Sequence, residues 1–183
     1  MLYPVVRWKG ESMSSEYYPQ VLGICCRWCS YAGADLAGAM RLQYPPAVKI
    51  MMLPCTGRVD ILHLLKAFEA GWDAVFVSGC HEGDCHYLRG NIQARKRVEK
   101  VKRLLTEIGL EPERLEMFWI SSAEGPHFAR AAQEMTERAL RLGPSPVKRE
   151  ARKAWEAGGQ AQVANPISPE GAVSEEHPPA GIV

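Results

Sequence analysis

Apolar residues are set along this chain in two rhythms. Four short runs, Gln20–Cys26 (QVLGICC), Val48–Pro54 (VKIMMLP), Ala74–Gly79 (AVFVSG) and Leu115–Ser121 (LEMFWIS), are almost continuously apolar, the signature of strands covered on both faces. Elsewhere apolar residues recur three and four apart, as on one face of a helix. Ile61, Leu62, Leu65 and Phe68 form one such stripe, followed by Gly71 where a left-handed helix end favours glycine. Val98, Val101, Leu105 and Ile108 form a second. Phe128, Ala132, Met135 and Ala139 form a third, preceded by Ser121-Ser-Ala-Glu124, which has the Ser-x-x-Glu form of a capping box. A weaker helical stretch, about Ala34 to Leu42, follows the first strand.

Strand and helix therefore alternate four times. The economical architecture is an α/β fold: an open parallel four-stranded sheet with flanking helices and right-handed crossovers, Rossmann-like or flavodoxin-like. The pattern sets residues 20–143 apart as one domain behind an N-terminal arm, 1–19. Beyond it, residues 144–183 are rich in Gly, Pro, Ala and Glu and are expected to be mostly disordered, with a short helix near Lys148–Ala157 anchored by Trp155.

Lysine and arginine total 22 against 21 acidic residues, so charge gives no case for a nucleic-acid or anionic-membrane partner. No apolar run approaches the roughly 18 residues that span a bilayer, and the first residues lack the apolar core of a signal peptide. A cytoplasmic protein without membrane insertion is the expectation. Thiols stay reduced there, which turns attention to the six cysteines. All lie between positions 25 and 85, in segments that begin where strands one, two and three end. Ligands of open α/β sheets sit beyond the carboxyl ends of the strands, so the three segments are expected to meet on one rim.

Thiolates in such numbers suit an iron-sulfur cluster or zinc, and a Cys-x-x-Cys turn lets two of them reach one metal. Cys26 and Cys29 have that spacing, and Cys55, Cys80 and Cys85 arrive from the neighbouring strand ends. Adjacent residues of an extended segment point to opposite sides, so Cys25 is assigned to the core and Cys26 to the site. Residue pattern alone does not choose four ligands from the remaining five. A structural or regulatory zinc site and a dithiol redox protein stay open beside the electron-transfer cluster.

His81 and His86 flank the last cysteine pair as alternative ligands, with supporting or surface roles favoured where thiolates suffice. Trp28, inside the Cys-x-x-Cys turn, is placed to shield a cluster or meet a partner, and Arg58 to donate to a sulfur or pair with Asp60. The basic run Ala94–Arg103 reads as a solvated helix face. Neither G-x-x-x-x-G-K-[ST] nor G-x-G-x-x-G is present, so no nucleotide or flavin is expected on this chain. No serine or cysteine nucleophile has an evident base.

The segments CCRWCSYAGADLAG, PCTGRVD and GCHEGDCHYLRGN, in that order, resemble the delta subunit of the methyl-viologen-reducing hydrogenase, a family also found fused to heterodisulfide reductase A-type proteins. The similarity runs from about Val21 to Gly143. The resemblance implies a 2Fe-2S cluster and a role relaying electrons between a catalytic partner and the flavin of a heterodisulfide reductase A-type flavoprotein. That partner is expected to be a hydrogenase, a formate dehydrogenase or another dehydrogenase, and the chain is expected to have no turnover of its own. It also implies that the metal-site cysteines are Cys26, Cys29, Cys55, Cys80 and Cys85, while Cys25 stands at a position that is not always cysteine. The long tail after Gly143 departs from the compact family form.

Overall fold

The structure, a computed structural model, describes residues 17–150. The N-terminal arm up to residue 16 and the tail beyond residue 150, Trp155 included, lie outside the described residues. Four strands, β1 (Val21–Cys26), β2 (Val48–Leu53), β3 (Ala74–Gly79) and β4 (Leu115–Trp119), alternate with four helices, α1 (Ala32–Ala39), α2 (Ile61–Glu69), α3 (Gly90–Glu107) and α4 (Gly125–Leu142). All strand pairs are parallel, in the order β2-β1-β3-β4. This is the α/β architecture the sequence implies, and its order is the flavodoxin-like one, with the direction of winding reversing between β1 and β3.

Alternation along the strands divides the core in two. Leu22, Ile24, Val75 and Val77 face α2 and α3, where Leu64, Phe68, Val98, Val101 and Leu105 cover them. Val21, Cys25, Ala74 and Phe76 face α1 and α4, where Ala37, Phe128, Ala132 and Met135 pack. Central β1 and β3 are buried along their whole length, whereas edge strand β2 exposes Met51 and Met52. This is why only the central runs are apolar on both sides by necessity.

Helix boundaries depart from the pattern in three places. The buried face of α2 is Leu64, Ala67 and Phe68, while Leu62 is exposed. Ile108 lies just past α3 and is exposed. The capping box expected at Ser121 is only half made, because the Glu124 carboxylate accepts from the Ser121 backbone N–H at 2.6 Å while no Ser121 hydroxyl cap forms. A full box sits instead at α2: Asp60 accepts from the Ile61 N–H at 2.6 Å and His63 Nδ1 accepts from the Asp60 N–H at 3.0 Å. Gly71 does take the left-handed conformation, φ 89°, after α2.

The amino ends of the strands are tied by two buried charges. Asp73 accepts from the backbone N–H groups of Gln20 and Ser145, both at 2.9 Å, and from Lys148 Nζ at 3.0 Å. Residues at the start of the C-terminal tail are thereby held against the domain. Arg114 donates to the carbonyls of Asp73, Leu142 and Gly143, closing the carboxyl end of α4.

Candidate metal centre

At the opposite end, each of the first three strands runs directly into a cysteine turn. β1 ends on Cys26 and the chain winds into a π-helical turn, Arg27–Tyr31, that carries Cys29 back over it. The Ser30 hydroxyl fixes this turn, accepting from Cys26 N–H at 3.0 Å and donating to the Ser78 carbonyl of β3 at 2.6 Å. After β2, Cys55 opens a 3-10 turn, Thr56–Arg58, whose Gly57 N–H donates to Cys55 Sγ at 3.4 Å. Cys80 follows β3, and Asn91, buried in the first turn of α3, donates to the carbonyls of Cys80 and His81 at 3.0 and 2.8 Å.

These turns gather Cys26, Cys29, Cys55, Cys80 and Cys85 into one buried group. The Sγ atoms of Cys26, Cys29 and Cys80 lie within 4.8 Å of one another. Those of Cys55 and Cys85 are 4.0 Å apart. Cys25 points to the other face and packs with Val21 and Phe76. The close approach of the loops depends on Gly90, where a Cβ would fall 2.4 Å from Cys55 Sγ and 3.3 Å from Cys85 Sγ. Two surface concavities, of about 660 and 220 Å³, flank β4 and contain none of these thiols.

The thiols are not electrostatically equal. Hydrogen bonding from Cys29 holds Cys26 down at about 6 against the opposing effect of burial, with backbone N–H groups of Trp28, Cys29 and Thr56 adding to it. The same pairing pushes Cys29 up, assisted by burial and by Cys80. Burial raises Cys80, and it raises Cys55 to about 11. Burial also opposes ionisation of Cys85, yet N–H groups of Asn91, Tyr87 and Gly90 outweigh it and lower its pKa. Cys25, with burial dominant, is pushed up to about 12. The donor set fits a thiolate-bound metal group: soft sulfur ligands, amide N–H groups aimed at them, and little access for water.

Residues 21–143 match the family model of the methyl-viologen-reducing hydrogenase delta subunit. The chain belongs to this family. The matched span runs from the first residue of β1 to the residue after α4, so it takes in the whole sheet and every thiol of the group. The chain is 46% identical over 132 residues to an iron-sulfur subunit of the F420-non-reducing hydrogenase of Archaeoglobus profundus, covering 72% of this chain and 96% of the relative. It is 47% identical over 130 residues to the vhu iron-sulfur subunit of the same kind of hydrogenase from Methanocaldococcus jannaschii, covering 71% and 97%. It is also 41% identical over 134 residues to the A-type subunit of the ferredoxin:CoB-CoM heterodisulfide reductase of Methanosarcina mazei, covering 72% of this chain but 17% of that much longer protein. The family thus occurs both as a separate hydrogenase polypeptide and as part of a heterodisulfide reductase chain. Among the described residues no helix is long and apolar enough to cross a membrane.

The surroundings of the thiols were only partly legible in the sequence. His81 binds the Glu124 carboxylate at 2.7 Å, and His86 stacks on Trp28 with ring centroids 4.3 Å apart. The Arg27 guanidinium lies 5.8 Å from the Trp28 ring centroid, and Trp28 remains 49% exposed. Arg58 is exposed, and Asp60 spends its carboxylate on the α2 cap. The loop-fixing cation is Arg97, which donates to the carbonyls of Gly57 and Val59 at 2.6 and 2.8 Å. It belongs to the basic run expected to be a solvated face, and its turn toward the Cys55 loop had no signal beyond that run. Asn91 closes the GCHEGDCHYLRGN segment, yet nothing in that segment marks it as the donor to the Cys80 and His81 carbonyls.

Proposed function

We propose that this chain is a one-electron relay that holds a 2Fe-2S cluster on four of Cys26, Cys29, Cys55, Cys80 and Cys85. It passes electrons between a hydrogenase, formate dehydrogenase or other dehydrogenase partner and the flavin of a heterodisulfide reductase A-type flavoprotein. The observation that carries this reading is the convergence of five buried thiols from three strand ends onto one rim. The names of the relatives, iron-sulfur subunits of hydrogenases and an A-type heterodisulfide reductase chain, agree with it.

When bound, such a cluster supplies reversible one-electron exchange at a potential set by its surroundings. The residues of the chain do the rest. Thiolates hold the metal, and Cys26 and Cys85, with lowered pKa values, are the first to ionise for it. N–H groups at Gly57, Tyr87 and Asn91 offset negative charge on sulfur. Trp28, Tyr87 and Leu88 stand exposed on the same rim and give a partner an apolar, aromatic surface close to the thiols.

Purification decides between metals. A brown protein with visible absorption and about equal iron and sulfide supports the reading, whereas a colourless protein with bound zinc refutes it. The relay is tested by reduction of the loaded protein through a flavoprotein partner, with no substrate oxidised by the chain alone. Steady turnover of a small molecule by the purified chain, abolished by Cys29→Ser, would establish a dithiol enzyme instead.

A further inference from the structure

Buried hydroxyl groups are ordinarily hydrogen-bonded, and those that are not call for an explanation. Among the described residues, the hydroxyls of Tyr17, Thr56, Ser78 and Ser145 are buried without a partner. Tyr17 and Ser145 lie beside Asp73, at the amino ends of the strands, far from the thiols. Ser78 is paired in register with Cys25 and, by alternation along β3, shares the face of Phe76, so it belongs to the core against α1 and α4. Of the four, Thr56 alone stands next in the chain to a cysteine of the thiol group.

Its placement there is tight. Thr56 follows Cys55 directly and is fully buried. Its backbone N–H is among the groups that help hold the Cys26 thiol down. Its side chain is pressed against the residue before Cys80: a Cβ on Gly79 would meet Thr56 Oγ1 at 3.0 Å and Cγ2 at 3.1 Å. The hydroxyl therefore lies against the end of β3, in a turn that also packs on the end of β1, and carries a proton with no protein acceptor.

We propose that the Thr56 hydroxyl donates to a sulfur of the bound cluster and raises its reduction potential. This rests on the cluster reading above. The reduced form carries one more negative charge than the oxidised form, so a fixed O–H donor stabilises it more. One charge-assisted hydrogen bond corresponds to about a tenfold change in the reduced-to-oxidised ratio, which is about 59 mV for one electron.

The test is a dye-mediated dithionite titration of the loaded, full-length protein, followed by visible absorption and by electron paramagnetic resonance. Thr56→Val, close in shape but without the hydroxyl, is expected to keep the cluster and to titrate at a potential lower by about that amount. Thr56→Ser restores the wild-type value, and Ser78→Ala, which removes the unpartnered hydroxyl on the other face, leaves it unchanged. An unaltered potential in Thr56→Val overturns the proposal, as does an equal fall in Ser78→Ala. Should Thr56→Val fail to assemble, Thr56→Ala is titrated in its place. Loss of the cluster in both, with Thr56→Ser intact, assigns the hydroxyl to folding and also overturns the proposal. A wild-type protein without iron-sulfur absorption refutes the cluster reading itself, an outcome distinct from all of these.

Discussion

Gly90→Ala sets two effects of opposite sign against each other. Gly90 is the first residue of α3, where alanine is the better helix former by at most about 1 kcal/mol. Against that, the new methyl would lie 2.4 Å from Cys55 Sγ, more than 1 Å inside the roughly 3.5–4 Å of an ordinary nonbonded contact. Relief by backbone movement is blocked, since a Cβ on the facing Gly57 would already be 2.7 Å from Gly90 Cα. Arg97 holds the Gly57 carbonyl in place at 2.6 Å. Relief by rotating the Cys55 thiol is available only while that sulfur is free. Overpacking of this kind costs about 1–3 kcal/mol, so the substitution is expected to lower Tm by several degrees in the metal-loaded protein. Iron content should fall more steeply than the stability of the apoprotein. Gly38→Ala, inside α1 with nothing within 4 Å of the added methyl, is the control and should stabilise by about 0.5–1 kcal/mol. Iron per chain, visible absorption and thermal melts of both variants make the comparison. A Gly90→Ala protein with wild-type iron and a raised Tm would show that the loops are not packed on Gly90 as described.

Single serine replacements of Cys26, Cys29, Cys55, Cys80 and Cys85 are expected to remove or alter the metal site in at least four cases, while Cys25→Ser keeps it and loses about 1–3 kcal/mol for a hydroxyl buried in an apolar core. Iron loss in Cys25→Ser with retention in Cys26→Ser would reverse the assignment. Arg114→Met should destabilise by about 3 kcal/mol in urea melts, because Arg114 is 1% exposed and serves three carbonyls, two of them through buried bonds. A cost under about 0.5 kcal/mol would refute that accounting. Glu124 is held down at about 2, first by the Ser121 N–H and then by His81. A carboxylate depressed on folding stabilises above its unfolded pKa of about 4.3 and loses that contribution as pH falls toward the folded value. The acid limb of the stability curve between about pH 4.3 and 2 should therefore flatten in Glu124→Gln, modestly because solvent screens this exposed group. An acid limb identical to wild type would sink the attribution.

Several features of this molecule follow from local rules and are legible in the sequence alone. The apolar runs of β1 and β3 are unbroken because both faces are covered, and the stripes of α3 and α4 mark the sides that meet the sheet. Alternation along β1 is enough to send Cys25 and Cys26 to opposite faces. The rim itself is legible because parallel strands must all present the same end. What stays hidden depends on contacts between residues far apart in the chain. The sequence marks Arg97 as one cation of a basic run, and only the crossing of α3 beside the Thr56–Arg58 turn makes it a clamp for the Cys55 loop. The same holds for Asp73 and Arg114, whose burial is stable only because backbone groups from Gln20, Leu142, Gly143 and Ser145 converge on them. Periodicity and spacing report on a segment and its immediate neighbours. The pairing of a buried charge, the 2.4 Å clearance at Gly90 and the unpartnered hydroxyl of Thr56 are set by how helices, sheet and loops close on one another in three dimensions, and no window of sequence contains that sum.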